Sequence, residues 1–427
     1  MGSESECSDS EYLSVSSDED KTQSNNLDLT GKIIKNYNVI CELGRGSFSI
    51  VWLAFSIKSN DFCALKVQNP SEFKDGQSEI KFVQKLPLSP SVFNNICDSF
   101  IEIRDNQKYL CSSWNLHCSD IDSLIRKGDY DNGFDFETVK KIMKQLIEAV
   151  KILHKNFKVF HGDIKTDNVL VKGINNKDDF IIKRYNEENF FKKYSEAKEK
   201  FWVDVKKKDI DKIEKMDKND KRKIRIEIHD QITNKILEEY SLSDISKYTI
   251  DSKYLESMDV SLADFGTYCE EHNFYEESFG TRYYQAPEII LMGKCSYPVD
   301  IWALGCTFYE LLTGNLLFDP IKDSKHSRDY YHLQLIQETC GNFPKNFLKK
   351  TKYYKKFFNS NFKLKDYELT DSNRLDRKLN EFNFDKLPFF DWIKRILTGT
   401  LVVDPAQRWN IDELQKEFLS IYHPDGK

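Results

Sequence analysis

His161-Gly162-Asp163-Ile164-Lys165-Thr166-Asp167-Asn168 and, far downstream, Asp264-Phe265-Gly266 decide how this chain is read. The first run places a carboxylate, a cation and an amide in one short loop. Asp163 can accept a proton from an attacking hydroxyl, Lys165 can offset charge on a migrating phosphoryl group, and Asn168 can ligate a magnesium ion. The second run reads as the turn that supplies the other magnesium ligand, Asp264, and it normally follows closely. Their separation implies a large insert between two halves of one active site.

Charge and cysteines bound the rest. The 427 residues carry a net charge of −6. Residues 1–36 hold eight acids and three lysines, so the remainder is nearly neutral. No basic field favours stable nucleic-acid binding. The 10 cysteines show no metal-ligand spacing and read as thiols of a reducing compartment. The Ser- and acid-rich N-terminus is unlike a secretory signal, and no apolar run reaches membrane-spanning length. These features predict a soluble intracellular protein without a membrane partner, in the cytoplasm, with the nucleus open, and a monomer.

Residues 1–36 read as a disordered acidic tail, with Ser8, Ser10, Ser14, Ser16 and Ser17 as candidate phosphosites or plain solvated side chains. Short apolar runs then begin. Val39–Leu43, Ile50–Ala54 and Phe62–Val67, separated by turn residues, predict an antiparallel meander. Helices are predicted over 76–86 and 137–155 from the spacing of their apolar residues. Segment 300–313 is apolar nearly all round, which marks a central buried helix. A β-rich beginning before a helical remainder predicts an α+β, two-lobed fold with a cleft: a small antiparallel lobe with one main helix (37–116) and a larger helical lobe (117–171 and 260–424). Within 172–259, 21 Lys/Arg and 20 Asp/Glu leave too little apolar surface for a core. A weak helix (Phe191, Tyr194, Phe201, Val205) and an alternating strand (Ile224, Ile226, Ile228) make it a partly ordered surface insert.

Leu43-Gly44-Arg45-Gly46-Ser47-Phe48-Ser49-Ile50-Val51 carries two glycines whose bare backbone lets phosphate oxygens approach the amides. Such glycine pairs also occur in ordinary hairpin turns. Ala64-Leu65-Lys66 follows, and a Lys on the third strand can reach the α- and β-phosphates. Glu79, opening the next helix, can hold Lys66 in place, or it is a solvated helical Glu. His161 reads as a packed ring below the loop. Glu288 of Ala286-Pro287-Glu288 is expected to pair with Arg408, and Asp300 to anchor the loop backbone.

Together these residues resemble the eukaryotic protein-kinase superfamily over about residues 37–424, and within it the CMGC group through Thr281-Arg282-Tyr283-Tyr284. The chain looks most like the SR-protein kinases, in Leu43–Ala54, in His161–Lys165, and in the position of its spacer. The resemblance implies a serine/threonine protein kinase using ATP and Mg²⁺. Asp163 and Lys165 would be catalytic, and Asn168 and Asp264 would hold metal. Leu43–Val51, Ala64, Lys66 and Glu79 would bind ATP. Protein substrates follow, Arg/Ser-rich ones by family expectation. Gly162 stands where most kinases have the Arg that receives an activation-loop phosphate, which predicts activity independent of that phosphate. Gln285 replaces the Arg typical of the CMGC group. Asp319, Asp323 and Asp329 alternate with Lys322, Lys325 and Arg328, so no clear acidic docking patch is seen. A catalytically dead scaffold, a CMGC-type kinase with other targets, and an insert serving interaction or nuclear import through Lys206–Lys208 and Lys221–Lys223 stand as alternatives.

Overall fold

The computed structural model describes residues 27–188, 250–270, 279–367 and 374–422, less Gly31, Ser47, Asp105, Gly128, Asp129 and Lys322, together with Glu196. The candidate tail phosphosites and the helix, strand and lysine clusters expected within the insert lie outside the described residues. The chain divides into two compact units. The described first unit is residues 27–80 and 96–114 plus Glu196; the second holds 81–95, 115–188 and the remaining described residues from 250 on.

The first unit is an antiparallel sheet in the order β1-β2-β3-β4-β6-β5. Its strands are β1 (Ile33–Ile34), β2 (Tyr37–Arg45), β3 (Ser49–Ser56), β4 (Asp61–Gln68), β5 (Ile96–Arg104) and β6 (Gln107–Trp114). The period of two decides its faces. Val39, Ile50, Trp52, Ala54, Cys63, Leu65, Val67, Tyr109 and Cys111 form one buried face. Leu29 and Ile34 belong to the same cluster, with Leu27 packed against it. This corrects the expectation that the tail runs to residue 36: two leucines and an isoleucine give residues 27–34 apolar surface to bury, and β1 pairs with β2. β5 and β6 carry no sequence signal that the meander reading used, yet they complete the sheet. Helix α1 (Phe73–Val83) starts three residues before the expected 76 and ends before Leu86, which is nevertheless buried.

The second unit is mainly helical. Helix α2 (Phe136–Ile152) begins where Asp135 Oδ1 accepts the Thr138 amide at 3.0 Å, and it buries Val139, Ile142, Met143, Leu146 and Val150 on one stripe. Small sheets, β10-β9-β7 and β11-β8, lie in this unit: β7 (His117–Asp120), β8 (Val159–Phe160), β9 (Val169–Lys172), β10 (Val260–Leu262) and β11 (Cys269–Glu270). The expected insert boundary at residue 172 is also corrected. Helix α3 (Asn176–Glu188) follows β9 and buries Ile181, because Asn175 caps it by accepting the Asp178 amide at 2.8 Å. Asn175 also donates to the Cys118 carbonyl at 3.2 Å, tying the helix start to β7. Helix α4 (Pro298–Thr313) is buried along its length from Val299, as its all-round apolar pattern requires, and ends at Gly314 with φ +70°. Among the described residues no helix is long and apolar enough to cross a membrane, and no disulfide joins two described cysteines.

Candidate active site

In the first unit the Gly-rich stretch is the β2–β3 hairpin. The Gly46 amide donates to the Ser49 carbonyl at 2.9 Å, and Arg45 is held by Glu42 at 2.6 Å. A Cβ at Gly44 would meet nothing within 4 Å, so packing within the chain does not call for glycine there. Phe48 is exposed, and Ser47 lies outside the described residues. The Ile50 side chain turns into the buried sheet face, opposite to its neighbour Val51. Ala64 lies on β4 across from Leu53 and Trp114.

Lys66 Nζ lies 3.0 Å from Glu79 Oε2 and 3.3 Å from Oε1. Glu79 is 4% exposed, so this is a charge-assisted pair with little competition from water. Gln68 Nε2 donates to the same Oε2 at 3.3 Å, a second support that motif reading missed. Gln68 sits two residues beyond Lys66 on β4 and so on the same face, which is the signal that could have found it.

In the second unit the catalytic loop is held from below. Asp300 on α4 accepts the backbone amides of His161 at 2.8 Å and Gly162 at 2.9 Å, and its Oδ2 meets His154 Nε2 at 2.9 Å. His161 is fully buried, its Nε2 against the Ala263 carbonyl at 3.1 Å and its ring packed on Phe265. Its structural reading is thus the one the geometry favours. Above it, Asp163 Oδ1 accepts the Thr281 amide at 2.6 Å, and Lys165 Nζ donates to Thr281 Oγ1 at 2.8 Å while lying 3.4 Å from Asp163 Oδ2. Asn168 Nδ2 donates to the Asp163 carbonyl at 2.8 Å.

The two motifs that the sequence separates meet through a ladder. Val169 pairs with Leu262 in β9–β10, and the Ala263 amide donates to the Asn168 carbonyl at 2.9 Å. Asp264 follows at φ +63°. Asn168 Nδ2 is turned to Asp163, Asp264 Oδ1 faces the Gly266 amide at 3.4 Å, and the remaining side-chain oxygens of Asn168 and Asp264 are donors of the kind magnesium takes. These residues fit the metal that a kinase site implies.

The rest of the segment is fixed by buried charge. Glu288 and Arg408, both essentially buried, form a bidentate pair at 2.7 and 2.9 Å. Tyr284 donates to Glu310, which also pairs with Arg126, and Thr166 shares this network. Burial, reinforced by Glu310, drives the Tyr284 phenol far above its ordinary range. It stays a donor at any pH the protein meets.

The fold and loop chemistry define a phosphotransferase. A protein kinase domain model matches residues 37–184 and 250–419, and the chain belongs to that family. It is similar to a protein of Acanthamoeba polyphaga mimivirus that bears the name of a serine/threonine-protein kinase (28% identical, 90% of this chain, 87% of that protein). It is 30% identical to the serine/threonine-protein kinase SRPK of Physarum polycephalum (78% of this chain, 74% of that one) and 25% identical to protein kinase dsk1 of Schizosaccharomyces pombe (88% and 79%). A solved kinase domain shares the fold at TM-score 0.60, with 21% identity over 91% of this chain and 97% of that one. The chain is a serine/threonine protein kinase whose relatives are of the SRPK and CMGC type. As a kinase domain it takes ATP, typically with magnesium, and acts on proteins.

Proposed function

We propose that Asp163 is the base for a Ser or Thr hydroxyl, that Asn168 and Asp264 hold magnesium, and that the Gly44–Gly46 turn with Lys66 receives phosphates of ATP. The observation that carries this is the Thr281 bridge: one threonine touches both Asp163 and Lys165, so base and cation share one reference point. Kinase chemistry is mostly positioning plus charge stabilisation, and these groups supply both. Magnesium, when bound, neutralises charge on the β- and γ-phosphates. Lys165 would meet charge on the transferred group. Lys66, oriented by Glu79, would meet the α- and β-phosphates.

Substrates rich in Arg and Ser follow from the SRPK relatives. Two of the acids considered for docking are already engaged: Asp329 pairs with Arg282 at 2.5 Å, and Asp323 accepts from Tyr331 at 2.5 Å. That no disulfide joins two described cysteines and no described helix spans a membrane supports a protein of the cytoplasm, with access to the nucleus.

Transfer of γ-phosphate to a peptide library that includes Arg-Ser repeats, by wild type beside Asp163→Ala, tests the reading. Wild type should label peptides and the variant should lose the activity. Equal labelling would remove Asp163 as base.

A further inference from the structure

We propose that the lysine-rich surface formed by residues 345–365 docks an acidic segment of the protein substrate. These residues hold eight lysines and neither Asp nor Glu, in a chain whose net charge is −6. All of these lysines are exposed. Lys352 set aside, none of them forms an ion pair with a carboxylate among the described residues. Like charges so close together repel one another, and an acidic protein gains no solubility from a local block of positive charge. The block therefore calls for an anion from outside the fold.

The surface has a packed underside. Phe343, Phe347, Leu348, Phe357, Phe358 and Leu364 are buried, and Phe343 meets Phe358 edge to face at 5.0 Å. With its apolar side chains turned in, the segment presents its lysines outward. Lys365 Nζ donates to the carbonyls of Lys355 at 2.8 Å and Lys356 at 3.1 Å, which ties down the turn that carries both. Lys345 and Lys349 lie 4.9 and 5.7 Å over the Phe362 ring, and Lys356 lies 6.0 Å over the Tyr353 ring. Lysines thus cover the ring faces that nucleobases would need for stacking. Carboxylates suit this surface and a single-stranded nucleic acid does not. Its place suits a substrate as well. The amides of Lys352 and Tyr353 donate to the carbonyls of Met292 at 3.2 Å and Leu291 at 3.0 Å. Leu291 follows the Pro287–Ile290 helix, and that stretch continues from Thr281, which touches Asp163 and Lys165. The lysine surface is therefore anchored to the chain that borders the catalytic loop. The inference deepens the substrate side of the proposed function and rests on phosphoryl transfer by that loop.

The test compares the full chain with a variant carrying Lys349→Glu, Lys350→Glu, Lys355→Glu and Lys356→Glu. One Ser/Thr peptide is offered with a run of Asp and Glu at either end, or with a Gly-Ser run of the same length. Several exposed ion pairs, each weak, should together lower the wild-type KM for the acidic peptide by roughly fivefold or more, with kcat unchanged. NaCl at about 0.5 M should erase that advantage by screening. The variant should lose the advantage and still turn over the Gly-Ser peptide as wild type does, which shows that it is folded. Equal KM for both peptides in wild type, or an acidic advantage that survives in the variant, would overturn the proposal. So would tight binding of a uridine oligonucleotide at this surface without any preference for the acidic peptide. Fluorescence anisotropy of a labelled acidic peptide that lacks Ser and Thr reads docking without turnover. Asp163→Ala should bind it as wild type does, so a failure of docking and a failure of the catalytic reading give different results.

Discussion

The Ala263 amide bonds to the Asn168 carbonyl at 2.9 Å, although the whole insert separates the two residues in sequence. That bond extends the β9–β10 ladder by one step and sets Asp264 next to Asn168. An insertion is tolerated there because it enters and leaves a closed antiparallel pair, and because loop closure costs rise only slowly with length. Breaking the ladder should therefore harm metal use before it harms the fold. Ala263→Pro, which removes the amide that donates to the Asn168 carbonyl, is expected to raise the magnesium concentration needed for half-maximal activity. Activity titrated against MgCl₂ checks this.

Glu79→Ala leaves Lys66 without its main partner. Hydrogen bonds to charged groups contribute roughly 1.5–3 kcal/mol, so kcat/KM should fall by about ten- to a hundredfold. Gln68 cannot replace the carboxylate, as it offers Lys66 no charge. Steady-state kinetics with ATP varied, alongside a circular-dichroism melt that should change little, is the measurement.

The Glu288–Arg408 pair predicts a different signature. Both side chains are buried, so removing one leaves an uncompensated charge. Arg408→Ala should cost about 3–5 kcal/mol. Urea unfolding of wild type and variant reads this directly. A double replacement by apolar residues should be milder than the single change.

Asp178 predicts a pH dependence at the start of α3. Burial raises its carboxyl to about 6, against an ordinary value of 3.8. The folded state therefore holds a proton that the unfolded state releases between those values. Local stability of α3 should fall as pH rises from about 4 to about 6, and the penalty is fully present above 6. Asp178→Asn, which can still accept from Asn175, should flatten that dependence. Hydrogen exchange of Asn176–Glu188 at pH 4.5 and 7 separates the two cases.

Much of this was legible in the sequence because it rests on motifs. The Asp163–Lys165–Asn168 loop, the Lys66–Glu79 pair, the Asp300 anchor and the Glu288–Arg408 pair all involve residues of the stretches that carry the kinase resemblance. Partners outside those stretches were not legible. Leu29 looks like part of a polar tail until the sheet face it covers exists. Ile50 reads as part of the phosphate loop until strand alternation turns it inward. Gln285 reads as a lost arginine until Phe279 and Gly280 present their carbonyls to it. Asn175 and Asp178 sit in a highly charged stretch, and only their contact with β7 shows that the second unit continues past residue 172.

The most direct test of the central claim is phosphoryl transfer from ATP to a Ser/Thr peptide by wild type and by Asp264→Asn, at matched magnesium. The account predicts transfer by wild type and a loss of about a hundredfold or more in the variant, in line with removal of charge stabilisation at the reacting group. Undiminished transfer by Asp264→Asn would contradict it.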